Sequence, residues 1–87
     1  MKLLKFYADW CGPCKMQTSI IKNLGEKITI PIEEIDIEEN MGMSKIYAVR
    51  SVPTLILLDE TGEEIKRNVG VLKEKDLLKF IANDKEN

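Results

Sequence analysis

The stretch Lys2-Leu3-Leu4-Lys5-Phe6-Tyr7-Ala8-Asp9-Trp10-Cys11-Gly12-Pro13-Cys14-Lys15 decides the reading of this 87-residue chain. Residues 2–8 are rich in apolar and aromatic side chains and read as a strand. Alternation puts Leu3, Lys5 and Tyr7 on one face and Leu4, Phe6 and Ala8 on the other. A strand central in a sheet buries both faces, so Lys5 is out of place there. Asp9 and Trp10 form the exit loop. Pro13 has no amide hydrogen to lose, which suits the first turn of a helix from near Gly12 to about Leu24. Met16, Ile20 and Leu24 recur at four-residue spacing and are expected to form its buried stripe. Gly25 supplies a stop. Cys11 and Cys14 therefore stand where a strand hands over to a helix.

Further along the chain, residues 32–37 read as a second strand, with Pro31 at its start where no ladder donor is lost. Glu38, Glu39 and Asn40 make a turn. Residues 42–49 read as a short helix with Ile46 and Val49 inward. Thr54-Leu55-Ile56-Leu57-Leu58-Asp59 is an apolar third strand. Glu60-Thr61-Gly62-Glu63 is a hairpin turn in which Gly62 takes the unusual backbone angles. Residues 64–69 form a more polar edge strand. Residues 73–83 form a last helix burying Leu77, Phe80 and Ile81, and residues 84–87 are expected to fray. The order is βαβ, then α, ββ, α. The first crossover implies a parallel pair and the Gly62 turn an antiparallel one. The expected fold is α/β: one domain over residues 1–87, with a four-stranded mixed sheet and helices on both faces.

Composition narrows the function. Thirteen basic and fifteen acidic residues give a formal charge of −2, so nothing favours nucleic acid or an anionic membrane surface as a partner. No apolar run is long enough to cross a bilayer. There is no histidine and there are two cysteines, so an intrachain four-ligand zinc site of the Cys/His type is excluded. The metal options left are a carboxylate-completed site or an intersubunit cluster, and no metal is expected. Met41 and Met43, thioethers with no third ligand near, read as helix-cap packing. The acidic run from Glu33 to Glu39 is split between two strand faces and reads as mostly solvated, with Glu34 the exception. A disulfide across two intervening residues closes almost no loop and adds little as a staple. What remains for the pair is reversible thiol–disulfide chemistry. The N-terminal segment is interrupted by Lys5 and Asp9 and has no small-residue cleavage site. A reducing cytoplasm is the compartment expected.

At Trp10-Cys11-Gly12-Pro13-Cys14-Lys15 the chain resembles the thioredoxins, and this motif lies between strand and helix, where its mechanism needs it. The resemblance extends to Arg50-Ser51-Val52-Pro53-Thr54, similar to the loop in which thioredoxins carry a cis-proline facing the cysteines. It extends also to Val69-Gly70-Val71, similar to a third substrate-contacting loop. There are two departures. Thioredoxins usually carry one more strand and helix before the strand that leads into the motif. They also usually hold a buried aspartate at the position of Lys5, with a lysine partner at the position of Glu34. Acid and base have exchanged places here.

The resemblance implies a protein-disulfide reductase with no cofactor beyond its own cysteine pair. Cys11, at the positive end of the helix, would be the exposed nucleophile and Cys14 the buried resolving thiol. Gly12 and Pro13 would hold the dithiol turn, and Trp10 would offer a flat docking surface. Val52, cis-Pro53, Thr54 and Gly70 would contact substrate. Lys5 and Glu34 would form a partly buried ion pair and be the candidates for handling the Cys14 proton. The implied partners are a thioredoxin reductase or equivalent donor and disulfide-containing proteins, and the implied state is a monomer. Two other readings stand beside it. One is a glutathione-served, glutaredoxin-like reductase, favoured by the short length and disfavoured by the Trp and the Gly-Pro pair. The other is a binding subunit that keeps the fold but not the chemistry.

Overall fold

The computed structural model describes residues 1–83. Four strands form one sheet in the order β2-β1-β3-β4. They are β1 (Lys2–Tyr7), β2 (Ile32–Asp36), β3 (Thr54–Leu58) and β4 (Glu64–Val69). β1 pairs with β2 in parallel and with β3 antiparallel, and β3 pairs antiparallel with β4. β1 is therefore interior, as its apolar run demands, and the polar β4 is an edge. The helices are α1 (Gly12–Leu24), α2 (Met41–Ile46) and α3 (Glu74–Ala82). Leu3, Leu55 and Leu57 pack with Ile20 and Leu24 of α1 and Leu77 and Ile81 of α3. Leu4, Phe6, Ile56 and Leu58 pack on the other face with Met43 and Tyr47. The mixed sheet with helices on both faces is thus the observed architecture.

Several details depart from the sequence reading. Met16 is 55% exposed rather than buried, and α1 buries Cys14, Gln17, Ile20 and Leu24 instead. Cys14 sets the phase of the helix. Met16 lies two residues on, about 200° around the axis, and so faces solvent. α2 ends at Ile46, and Ile46 is 77% exposed. Met43 and Tyr47, four residues apart, take the inner face, with Val49 packed beyond them. The chain leaves α2 through a left-handed residue, Ala48 at φ 54°. The amides of Ala48 and Val49 return to the carbonyls of Lys45 and Ser44, which is a Schellman cap with alanine where glycine is usual. β1, β2, β3, α2 and α3 each stop one or more residues short of the expected end. A short 3₁₀ turn over Gly25–Lys27 follows α1. Phe80 is half-buried against the α1–α3 core rather than inside it. The expectation that residues 84–87 fray lies outside the described residues.

Candidate active site

The cysteines sit where β1 ends and α1 begins. Cys11 is the N-cap of α1, and its Sγ accepts a hydrogen bond from the Cys14 amide at 3.1 Å. That sulfur therefore occupies the position where unpaired amides and the helix dipole favour negative charge. Cys11 and Cys14 are joined as a disulfide. Ala8, Cys11 and Cys14 form a small apolar cluster flanked by Tyr7, Ile37 and Val52. Val52 brings its carbonyl oxygen to 3.7 Å from Cys11 Sγ. Cys11 is 4% exposed and Cys14 2% exposed. The expectation of an openly exposed Cys11 is corrected: in the disulfide form both sulfurs are buried, because the Val52 segment and the apolar cluster cover them.

The other candidate residues converge on this spot from three parts of the chain. The Val52–Pro53 bond is cis, and Pro53 and Thr54 are buried. Thr54 Oγ1 turns back to the Ser51 carbonyl at 2.7 Å. Gly70 donates its amide to the Pro53 carbonyl at 2.9 Å, so the loops after α2 and after β4 lie side by side. Its φ of 103° is the reason for glycine, since a Cβ there would meet nothing within 4 Å. Trp10 is 66% exposed beside the pair. Its Nε1 donates to Glu38 Oε2 at 2.8 Å, which fixes one edge of the ring and leaves its face free. Gly12 and Pro13 occupy the first turn of α1, and Lys15 follows Cys14 on the rim.

Beneath Cys14 lies an open cavity of about 150 Å³. Lys5 and Glu34 both line it, together with Cys14 and Thr18. Lys5 and Glu34 are direct partners across the parallel β1–β2 ladder. Lys5 is 1% exposed, and its Nζ donates to Thr18 Oγ1 at 2.6 Å. Nζ also lies 3.8 Å from Glu34 Oε2 and 5.0 Å from the centre of the Tyr7 ring. The predicted pair therefore exists, but the Glu34 side chain is 53% exposed, so one partner is buried and the other wet. Burial pulls the Lys5 pKa below its ordinary value, and the Glu34 charge partly restores it. Tyr7 is shifted up, first by burial and then by Asp36, Asp9, Glu34 and Glu39.

Sequence reasoning missed three residues here. Thr18 Oγ1 donates to the Cys14 carbonyl at 3.1 Å while accepting from Lys5, so it bridges the two. Gln17 is fully buried. It accepts from the Leu72 amide at 2.8 Å and donates to the Leu72 carbonyl at 3.0 Å, tying α1 to the loop after Gly70. Both follow Cys14 by three or four residues and so share its helix face, a signal available in the sequence. Glu38 carried no such signal, because it reaches Trp10 only through the fold.

The family model for thioredoxin matches residues 1–83. The chain belongs to the thioredoxin family. It is 44% identical over 82 residues to a thioredoxin of Chlamydia pneumoniae, covering 93% of this chain and 78% of that one. It is 37% identical over 83 residues to a thioredoxin of Bacillus subtilis, covering 93% and 78%. Among solved structures, a single-site mutant of a thioredoxin from Halobacterium salinarum superposes with a TM-score of 0.87 at 38% identity, covering 99% of this chain and 75% of that one. Thioredoxin 1 of Thermosipho africanus gives 0.81 at 32% identity, covering 95% and 92%. With the family and the Cys11–Cys14 disulfide in place, this member of the thioredoxin family is a thiol–disulfide oxidoreductase acting on protein disulfides, and its redox group is that cysteine pair. Among the described residues no cluster of three or more cysteines and carboxylates is arranged to hold a metal ion, and no helix is long and apolar enough to cross a membrane.

Proposed function

We propose that the chain works as a single monomeric thioredoxin domain in the cytoplasm, a general reductant of protein disulfides recharged by a thioredoxin reductase. The observation that carries this reading is Cys11 Sγ at the N-cap of α1, beside the Val52 carbonyl. Thiols in CxxC motifs, thioredoxin's own among the standard examples, ionise near or below neutrality. The Cys11 thiolate attacks one sulfur of a substrate disulfide, the other sulfur leaves as a thiolate, and a mixed disulfide forms. Cys14 then loses its proton, for which the Glu34 carboxylate in the shared cavity is the acceptor. Its sulfur attacks Cys11 Sγ, so the Cys11–Cys14 bond forms as the bond to substrate breaks. The second substrate sulfur leaves with the electron pair and takes a proton from solvent. Over both steps two electrons pass from the dithiol to the substrate.

Docking falls to the surface around the pair. The exposed face of Trp10 offers apolar area, and the backbone around Val52 and Pro53 offers an edge for an extended substrate segment. Thr54 and Gly70 hold that edge in place. The test is reduction of insulin disulfides with either thioredoxin reductase or glutathione as the electron source. Turnover sustained by the reductase is expected. Turnover sustained by glutathione alone would replace this reading with a glutaredoxin-like one, and no turnover with either would point to a binding subunit.

A further inference from the structure

Lys5 and Asp36 are the charged side chains buried among the described residues. Asp36 is spent locally, since its Oδ1 accepts the Glu38 amide. Lys5 has no such local use. It stands in the middle of interior strand β1, on the face beneath α1, and shares its cavity with Cys14. Thr18 accepts from the Lys5 ammonium and donates to the Cys14 carbonyl, which ties the charge to the turn that carries the thiol. The Glu34 carboxylate and the face of Tyr7 both favour the charged form of Lys5. The remaining titratable groups around the cavity are Asp9 from the exit loop and Lys15 from α1.

We propose that Lys5 is a positioning residue for the resolving step: its ammonium stabilises the Cys14 thiolate from beneath, through the cavity that Lys5, Cys14 and Thr18 line together. A buried cation facing a thiol has the opposite effect to a buried anion. It favours thiolate over thiol, stabilises the reduced protein relative to the disulfide, and makes the protein a weaker reductant than it would be without that charge. Glu34 takes the proton and Lys5 stabilises the charge left behind. Burial draws the Lys5 pKa down and so works against the ammonium, and the Glu34 carboxylate opposes that loss.

This inference rests on the exchange mechanism proposed above, and the experiment separates the two. In a Cys11→Ser background, ultraviolet thiolate absorbance, less that of a Cys11→Ser, Cys14→Ser control that carries the same tyrosines, reports the ionisation of Cys14. Lys5→Met and Lys5→Gln both remove the charge but pack differently. Each is expected to raise the Cys14 pKa by about one unit or more. In the two-cysteine protein, each variant is expected to slow resolution about threefold per unit at neutral pH, because the more basic thiolate regains part of the loss in nucleophilicity. At a pH where Cys14 is ionised in the wild type, a tenfold change lowers the midpoint potential by about 30 mV. The unmutated protein supplies a measurement independent of folding. Coupling is reciprocal, so Lys5, followed by carbon NMR of labelled lysine, is expected to titrate at higher pH in the dithiol form than in the disulfide form. Insulin reduction by the wild type with an unmoved Cys14 pKa in both variants would overturn the role of Lys5 alone. Identical Lys5 titration in the two redox forms would also overturn it. Failure of the wild type to reduce insulin would remove the exchange reading itself.

Discussion

Gln17→Met exchanges a fully buried amide for an apolar side chain of similar length. The wild-type amide makes two hydrogen bonds to one residue, Leu72, across 55 positions of sequence. Removing it leaves both the N–H and the C=O of Leu72 without their partner. A buried polar group left unpaired costs about 1–3 kcal/mol. Leu72 is half-buried, so water meets part of that need and the lower half of the range applies to each group. Two such losses, less about 1 kcal/mol regained from extra apolar burial, leave a net cost of about 2 kcal/mol. In a domain of this size that lowers Tm by about 8–16 °C. Gln17→Glu supplies a second readout. A protonated glutamic acid can both donate to the Leu72 carbonyl and accept from its amide, whereas a carboxylate only accepts and is repelled by the carbonyl. Its folded pKa is therefore raised above the unfolded value. The folded state binds more protons between the two values, so stability falls as pH rises through that window. Urea unfolding of the disulfide form at several pH values measures both variants. A Gln17→Met loss below about 0.5 kcal/mol, within the range of an ordinary surface change, would refute the clamp. A Gln17→Glu protein with the wild type's pH profile would refute it as well.

For Lys5 and Glu34, a double-mutant cycle with Lys5→Met and Glu34→Gln is expected to give a coupling of about 1 kcal/mol or less, because Glu34 is half in water; a value of several kcal/mol would show the pair to be buried on both sides. Burial lowers the Lys5 pKa in the folded state, so the unfolded chain binds that proton more tightly and stability rises with pH towards the ordinary lysine value of 10.5; Lys5→Met should flatten that rise in alkaline urea titrations. Ala48→Gly is expected to stabilise the protein by about 0.5–1 kcal/mol, since Ala48 holds a left-handed conformation that glycine adopts freely; a loss in chemical unfolding would contradict this. Asp59 accepts from Thr61 and from the Glu63 amide in the β3–β4 hairpin, and these bonds hold its pKa below the ordinary carboxylate value. Its contribution is present above the unfolded pKa and is lost as pH falls through the folded one, so the protection factors of the hairpin amides, measured against the intrinsic exchange rate at each pH, should fall in acid. Asp59→Asn should remove that acid dependence.

Much of this was legible from local pattern. The apolar run of β1, the Pro13 start of α1, the Gly62 turn and the polar edge strand each follow from residues within one element. The joining of the Cys11–Cys14 turn to the loops around Pro53 and Gly70 came from resemblance. What the sequence hid depends on helix phase and on distant contacts. The four-residue spacing of Met16, Ile20 and Leu24 suggested a stripe, but Cys14 fixed the phase and a glutamine took the buried place. Glutamine there looks polar and therefore exposed until Leu72 arrives to pair with it. Lys5 was visible as an anomaly in an interior strand, and the register placed Glu34 opposite it. How wet that pair is depends on β2 being an edge strand, which leaves Glu34 half in solvent while Lys5 lies under α1.

The central claim is that Cys11 attacks and Cys14 resolves. Cys14→Ser protein, reduced and mixed with insulin, should accumulate a one-to-one disulfide adduct, and peptide mapping by mass spectrometry should place it on Cys11. Cys11→Ser protein treated the same way should trap almost nothing. An adduct on Cys14 in the Cys11→Ser protein that forms as fast as the Cys11 adduct, or the absence of any adduct in Cys14→Ser, would contradict the account.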